Sequence, residues 1–128
     1  MTKAINKYRT ARRVLITYEE LKDIPLHEVI DIDLEKPGTI TCTKISNNDF
    51  SQSLRVEMKQ ESYWSTHYHD CIETILVFTG TLYDHTGDKS IDRYNPAIIN
   101  KYEDHLIEAV TDSVFYVEFL NPNLDPQK

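Results

Sequence analysis

The residues best equipped for chemistry lie in one short stretch, His67-Tyr68-His69-Asp70-Cys71-Ile72-Glu73, which runs on through the apolar segment Thr74 to Phe78 and closes at Gly80. Successive side chains of a strand point to opposite faces, so His67 and His69 project from one face at neighbouring levels and can chelate a single ion. After a turn at Asp70-Cys71-Ile72, Glu73 opens a second strand, from which its carboxylate can turn back toward the two imidazoles. Two nitrogens and one oxygen supply most of what a nitrogen/oxygen metal site needs. An HxH pair by itself can equally be a partner of buried carboxylates or plain surface. The glutamate at the head of an apolar strand therefore carries much of the inference, because an ionised carboxylate inside a barrel is costly unless it is paired or bound to a cation. Gly80 falls where the chain must turn sharply, a position suited to a residue without Cβ.

The elements that must position these groups read as strands. Thr39 to Ile45 is rich in β-branched residues, and Ser51 to Gln60 alternates, with Leu54, Val56 and Met58 facing one way and Arg55, Glu57 and Lys59 the other. Lys36-Pro37-Gly38 and Ser46 to Asp49 are turn signals around the first of them. With His67 and His69 inward, unbroken alternation turns Tyr63 and Ser65 inward and Trp64, Thr66 and Tyr68 outward. Thr74 to Phe78 is apolar on both faces, so both sides are expected to be covered, one by the core and the other by a second subunit or the N-terminal segment. Thr81 to His85 and Lys89 to Ile91 read as a hairpin about Thr86-Gly87-Asp88, Ala97 to Ile99 as a short buried strand, and His105 to Val110 with Val114 to Leu120 as a last hairpin. Thr17-Tyr18-Glu19-Glu20 is a capping box that predicts one or two helical turns, stopped by Pro25. Many short strands, regular turns and hardly any helix define an all-β sandwich or barrel. The organisation is an N-terminal arm and short helix over 1–38, a barrel over 39–120 and a tail over 121–128, all within a single domain.

A net charge of -7 argues against a nucleic-acid-binding surface. The opening segment is nonetheless basic, with Lys3, Lys7, Arg9, Arg12 and Arg13 before the first acid, Glu19, and is read as a solvated terminal segment. Cys42 and Cys71 form no CxxC pair, and no apolar run approaches about twenty residues, the length of a membrane span. The expectation is a cytoplasmic protein with no nucleic-acid or membrane partner. Two-sided apolarity at Thr74 to Phe78, with Trp64 and Tyr68 on an outer face, predicts a homodimer.

The pattern His67-x-His69-x3-Glu73-x6-Gly80 resembles the first motif of the cupin superfamily, a conserved antiparallel β-barrel of the jelly-roll kind. Glu61 replaces that motif's leading glycine. The resemblance covers roughly Thr39 to Leu120 and implies a second motif supplying a further histidine, which falls on His105. Tyr94, Asn100, Tyr102 and Ala109 stand where that motif has its other characteristic residues. A narrower similarity to ectoine synthases, at Thr66 to Glu73 and Phe119 to Leu124, departs at Ala97, where that family has a tyrosine metal ligand, and this argues against ectoine synthesis.

The resemblance implies one divalent transition metal (Fe, Zn, Mn, Ni, Co or Cu) on His67, His69, Glu73 and His105, and a small-molecule substrate. Open coordination positions on such an ion suit Lewis-acid chemistry or activation of a bound water. Two functions follow: a metalloenzyme acting on a small polar metabolite, of oxygenase, isomerase or lyase type, or a non-catalytic module that binds a small molecule or sugar. In the first, Tyr63, Tyr83 and Glu118 are the candidate catalytic residues, placed to handle protons. His85, His27 and Arg55 read as surface residues and Cys71 as an inert thiol, since Asp70 and Glu73 oppose thiolate formation.

Overall fold

Thr17 and Glu20 form the capping box in full: the Glu20 amide donates to Thr17 Oγ1 at 3.2 Å and the Thr17 amide to Glu20 Oε1 at 2.8 Å. They start α1, Tyr18–Lys22. So short a helix is not stable alone, and packing of buried Tyr18 and Leu21 against the strands holds it. The computed structural model describes residues 16–30, 39–64 and 66–124. The basic arm, Val14-Leu15, the Lys36-Pro37-Gly38 turn, Ser65 and the last four residues of the tail lie outside them.

Nine strands follow among the described residues: β1 Val29–Ile30, β2 Ile40–Asn47, β3 Ser51–Met58, β4 Glu73–Thr79, β5 Leu82–Asp84, β6 Lys89–Ile91, β7 Ala97–Ile99, β8 Ile107–Ala109 and β9 Ser113–Leu120. A 3-10 turn, Pro122–Leu124, ends the described chain. One antiparallel sheet has the order β1-β2-β3-β9-β4-β7 and the other β6-β5-β8. Inward residues of the large sheet, among them Ile40, Cys42, Val56, Ile75, Phe115 and Val117, meet Leu82, Ile91, Ile107 and Ala109 of the small one in a single core. The result is the all-β jelly-roll sandwich expected. No described helix is long and apolar enough to cross a membrane.

Gly80 has φ +92°, and a Cβ there would lie 2.5 Å from Asp112 O and 2.7 Å from Ser113 Cα. The tight turn after β4 thus needs glycine both for its backbone conformation and for space.

Two expectations change, and a third, cover over the outer side of β4 by a second subunit or the N-terminal segment, falls to parts outside the described residues. β8 and β9 are not a hairpin: β8 pairs with β5 in the small sheet, while β9 crosses to the large one and lies between β3 and β4. The turn joining them is a corner between sheets, which a run of alternating residues does not distinguish from a hairpin. The outer side of β4 is left open by the described residues of this chain, with Leu76 52% and Phe78 59% exposed beside Ile98 of β7. Trp64, expected outward, is buried in the core. The reason is a bulge. Tyr63 bridges Glu108 and His67 bridges His105, so four steps along one segment oppose three along the other. One extra residue reverses the alternation between Tyr63 and His67, and Trp64 comes to share the inner face with the histidines.

Candidate metal centre

The bulged segment and the one opposite it deliver three imidazoles to the inner face. His67 and His105 exchange main-chain hydrogen bonds, His67 N to His105 O at 3.1 Å and His105 N to His67 O at 2.9 Å, which fixes their side chains as near neighbours. Their ring centroids are 4.1 Å apart, and His69 lies 5.0 Å from His67 and 5.2 Å from His105. One ring nitrogen from each of the three falls within 4.8 Å of the others. Glu73, first residue of β4, enters from the large sheet, with Oε1 3.4 Å from His69 Nε2 and 3.2 Å from His105 Nε2. All four side chains are buried. Three donors therefore come from the two bridged segments outside the named strands, and the fourth from the first residue of β4 in the large sheet.

Two of the rings are oriented from behind. His105 Nδ1 lies 3.2 Å from Glu103 O, and His69 Nδ1 3.1 Å from Ile16 O. With a proton on each Nδ1 donated to those carbonyls, both Nε2 atoms present lone pairs to the space facing Glu73. Burial alone would raise the Glu73 pKa, but the charges of His69, His105 and His67 outweigh it and hold the carboxyl down to about 2. Burial pushes His69 down. It would do the same to His105, where the Glu73 carboxylate prevails and the net direction is up.

These residues fit a divalent cation. Glu73 Oε1 and His105 Nε2 are buried and, close as they are, misaligned for a hydrogen bond, so each remains unsatisfied. Buried polar atoms without partners are costly and uncommon, and an ion between them would satisfy both. An imidazole and carboxylate donor set suits Zn, Fe, Mn, Ni, Co or Cu.

Over the four side chains lies a chamber of about 20 Å³. Its wall is Cys42, Leu54, Val56, Ile107, Val117 and Phe119 from the two sheets, with Trp64 and Ile16. The Trp64 ring meets His67 edge-on at 6.3 Å and Phe115 at 6.4 Å. Ile16 belongs to the strap that carries α1 across the barrel end. That strap is tied down by the Tyr18 amide donating to Asp70 Oδ1 at 2.9 Å, and by the Lys44 ammonium donating to Leu21 O at 2.5 Å and Ile24 O at 3.0 Å.

The three residues expected to handle protons lie away from this chamber. Glu118 is on the outer face of β9, where it accepts from Ser51 Oγ at 3.2 Å, because inward positions on that strand go to Phe115, Val117 and Phe119. The bulge separates Tyr63 from the histidines, and it packs with Leu106. Tyr83 faces away from the core between buried Leu82 and Asp84, its ring 4.9 Å from that of His85. His85 is not a bare surface residue, since its Nε2 lies 2.8 Å from Glu108 Oε1. Arg55 pairs with Glu57 at 3.0 Å on the outer face, and His27 is exposed at a turn. The buried Cys71 thiol is pushed far up by burial and by Asp70 and Glu73, as its acidic neighbours suggest.

Sequence reasoning missed Trp64 and Ile16. A single inserted residue carries no compositional mark, and the contribution of Ile16 to His69 is a backbone carbonyl, which any residue type supplies.

No protein-family model matches the sequence, and a search of curated proteins finds no relative. Solved structures do match. An RmlC-like cupin from Shewanella frigidimarina superposes with TM-score 0.63 at 14% identity over 73% of this chain and 83% of its own. A predicted oxalate decarboxylase from Thermotoga maritima gives 0.60 at 19% over 74% and 91%. An acetylacetone dioxygenase from Acinetobacter johnsonii gives 0.57 at 16% over 63% and 59%. The chain has the cupin fold. Identities this low establish architecture, and function rests on the site.

Proposed function

We propose that this cupin holds one divalent transition metal on His67, His69, Glu73 and His105 and acts on a small metabolite, as an oxygenase, isomerase or lyase. The observation that carries the reading is the buried pair of unsatisfied atoms, Glu73 Oε1 and His105 Nε2, within a cluster of three imidazoles whose ring nitrogens lie within 4.8 Å of one another. The bound ion would supply Lewis-acid chemistry and open coordination positions. The chain's own contribution is to orient His69 and His105 through the Ile16 and Glu103 carbonyls and to keep bulk water out with an apolar wall. The dioxygenase and decarboxylase names among the similar structures support a metal-centred reaction. A cytoplasmic setting suits the buried free thiols Cys42 and Cys71, and the open outer face of β4 supports a homodimer.

One observation favours a second reading, a non-catalytic small-molecule binder. Apart from the four metal-binding side chains, no described residue in the chamber wall is an acid, a base or a hydroxyl. The discriminating experiment is elemental analysis of protein purified without chelator, alongside His105→Ala and His67→Ala/His69→Ala variants. Stoichiometric metal that is lost in the variants is the expected result. Absence of metal after reconstitution would overturn the site. Metal without oxygen uptake or turnover across a panel of small carbonyl compounds would select the binding module.

A further inference from the structure

The wall of the chamber restricts what can approach the metal, an argument that rests on the metal site proposed above. Among the described residues the wall contains no arginine or lysine. Among the described residues Lys44 is the one cation whose strand position turns it into the barrel, and its ammonium is engaged by Leu21 O and Ile24 O of the strap. Arg55 lies on the outer face with Glu57. An anionic ligand would find the ion's charge already opposed by Glu73, and its outer oxygens would sit against Leu54, Val56 and Ile107 without a partner, a costly placement.

One wall residue apart from the metal-binding side chains carries an unsatisfied polar atom. Trp64 is 8% exposed, and its Nε1 is buried with no hydrogen-bond partner. Indole nitrogen is a donor only, so what it lacks is an acceptor oxygen on an otherwise apolar molecule. A free space of about 20 Å³ holds about one water. Anything larger must displace Ile16, the wall residue that comes from the strap.

We infer that the chamber admits a short, uncharged, largely apolar molecule bearing carbonyl oxygens, one directed to the metal and another receiving the Trp64 N–H, and rejects carboxylates of the same size. The metal contributes affinity for oxygen, the wall selects against charge, and Trp64 sets the position of the second oxygen.

A pair blocked at the central carbon, 3,3-dimethylpentane-2,4-dione, which has no acidic proton between its carbonyls and stays uncharged on the metal, and 2,2-dimethylmalonate, tests this directly, since the dione and the malonate share a skeleton and differ by exchange of methyl for anionic oxygen. The protein is loaded with Co(II), its metal content is measured, and each compound is titrated while visible absorption and the fluorescence of Trp64, the single tryptophan of the chain, are followed. The expected result is dione binding at least about tenfold tighter than the malonate, a difference of about 1.4 kcal/mol. Trp64→Phe, read by cobalt absorption, is expected to weaken dione binding about fivefold or more with cobalt content unchanged. Protein that takes up no cobalt refutes the metal site, and this inference with it. Loaded protein that binds the malonate as well as the dione, or binds neither, refutes the inference alone. A folded, loaded Trp64→Phe variant with unaltered dione affinity removes the role given to the indole.

Discussion

Closure of the chamber depends on a lysine inside the barrel, and replacing it measures how firmly the strap is held. Lys44 has no exposed surface, and its ammonium bonds the Leu21 and Ile24 carbonyls. A helix as short as α1 leaves its last carbonyls without intrahelical partners, and its C-terminal end favours positive charge. Burial lowers the Lys44 pKa from 10.5, with the Asp23 charge opposing. Lys44→Met keeps much of the stem's volume and removes the charge. Two charge-assisted hydrogen bonds are lost, each with a net value of about 1.5–3 kcal/mol. The cost of desolvating the ammonium is recovered, which offsets a large part of that loss. A net of about 2 kcal/mol against the closed strap raises the open fraction about 30-fold.

Hydrogen exchange reads this locally. The amides of Leu21, Asp23 and Ile24, which bond Thr17, Glu19 and Leu21 carbonyls, and that of Tyr18 on Asp70 should exchange about 30-fold faster in the variant. Amides where β3 pairs with β9, such as those of Val56 and Val117, should be unaffected. Release of bound metal to a chelator should accelerate with the strap amides, because Ile16 both walls the chamber and supports His69. Strap amides that exchange as in the wild type would refute the latch. Uniform acceleration across all strands would place the contribution of Lys44 in the core as a whole.

Gly80→Ala forces a side chain into the left-handed region against Asp112 and Ser113 and should cost about 3 kcal/mol or more, seen as a lower urea midpoint with unchanged slope. Because the Glu73 pKa is held at about 2, below its ordinary 4.5, its contribution to stability is complete above pH 4.5 and is lost as pH falls through about 2. The stability gap between metal-free wild type and Glu73→Gln should therefore close across that window, and a gap independent of pH would contradict the ion pairing. Phe78→Arg, on the open apolar face of the large sheet, should shift a dimer to monomer in a light-scattering concentration series. Wild-type protein that is monomeric at every concentration would refute the dimer.

What was legible in the sequence follows from which interactions are local. The Thr17 to Glu20 capping box involves only neighbouring residues and is realised as read. The inward sets on β2 and β3 follow from alternation, and the turn at Gly80 from a backbone requirement that leaves its mark in the residue type. Grouping His67, His69 and Glu73 needed only strand parity and one turn, whereas His105 came from resemblance, its place opposite His67 being a long-range pairing.

Non-local features were silent for physical reasons. The bulge before His67 exchanges the roles of Tyr63 and Trp64, yet it arises from the count of residues between two distant bridges and not from any residue's propensity. Likewise, the corner from β8 to β9 looks like a hairpin because both turn the chain sharply, and only the destination of the second strand differs. Glu118 shows the consequence for function: a carboxylate one step from Val117 and Phe119 of the chamber wall in sequence stands on the opposite face of the sheet. Within a sheet, adjacency along the chain implies separation in space, so the residues able to act on a ligand here are those sharing parity with the histidines after the bulge is counted, Trp64 foremost.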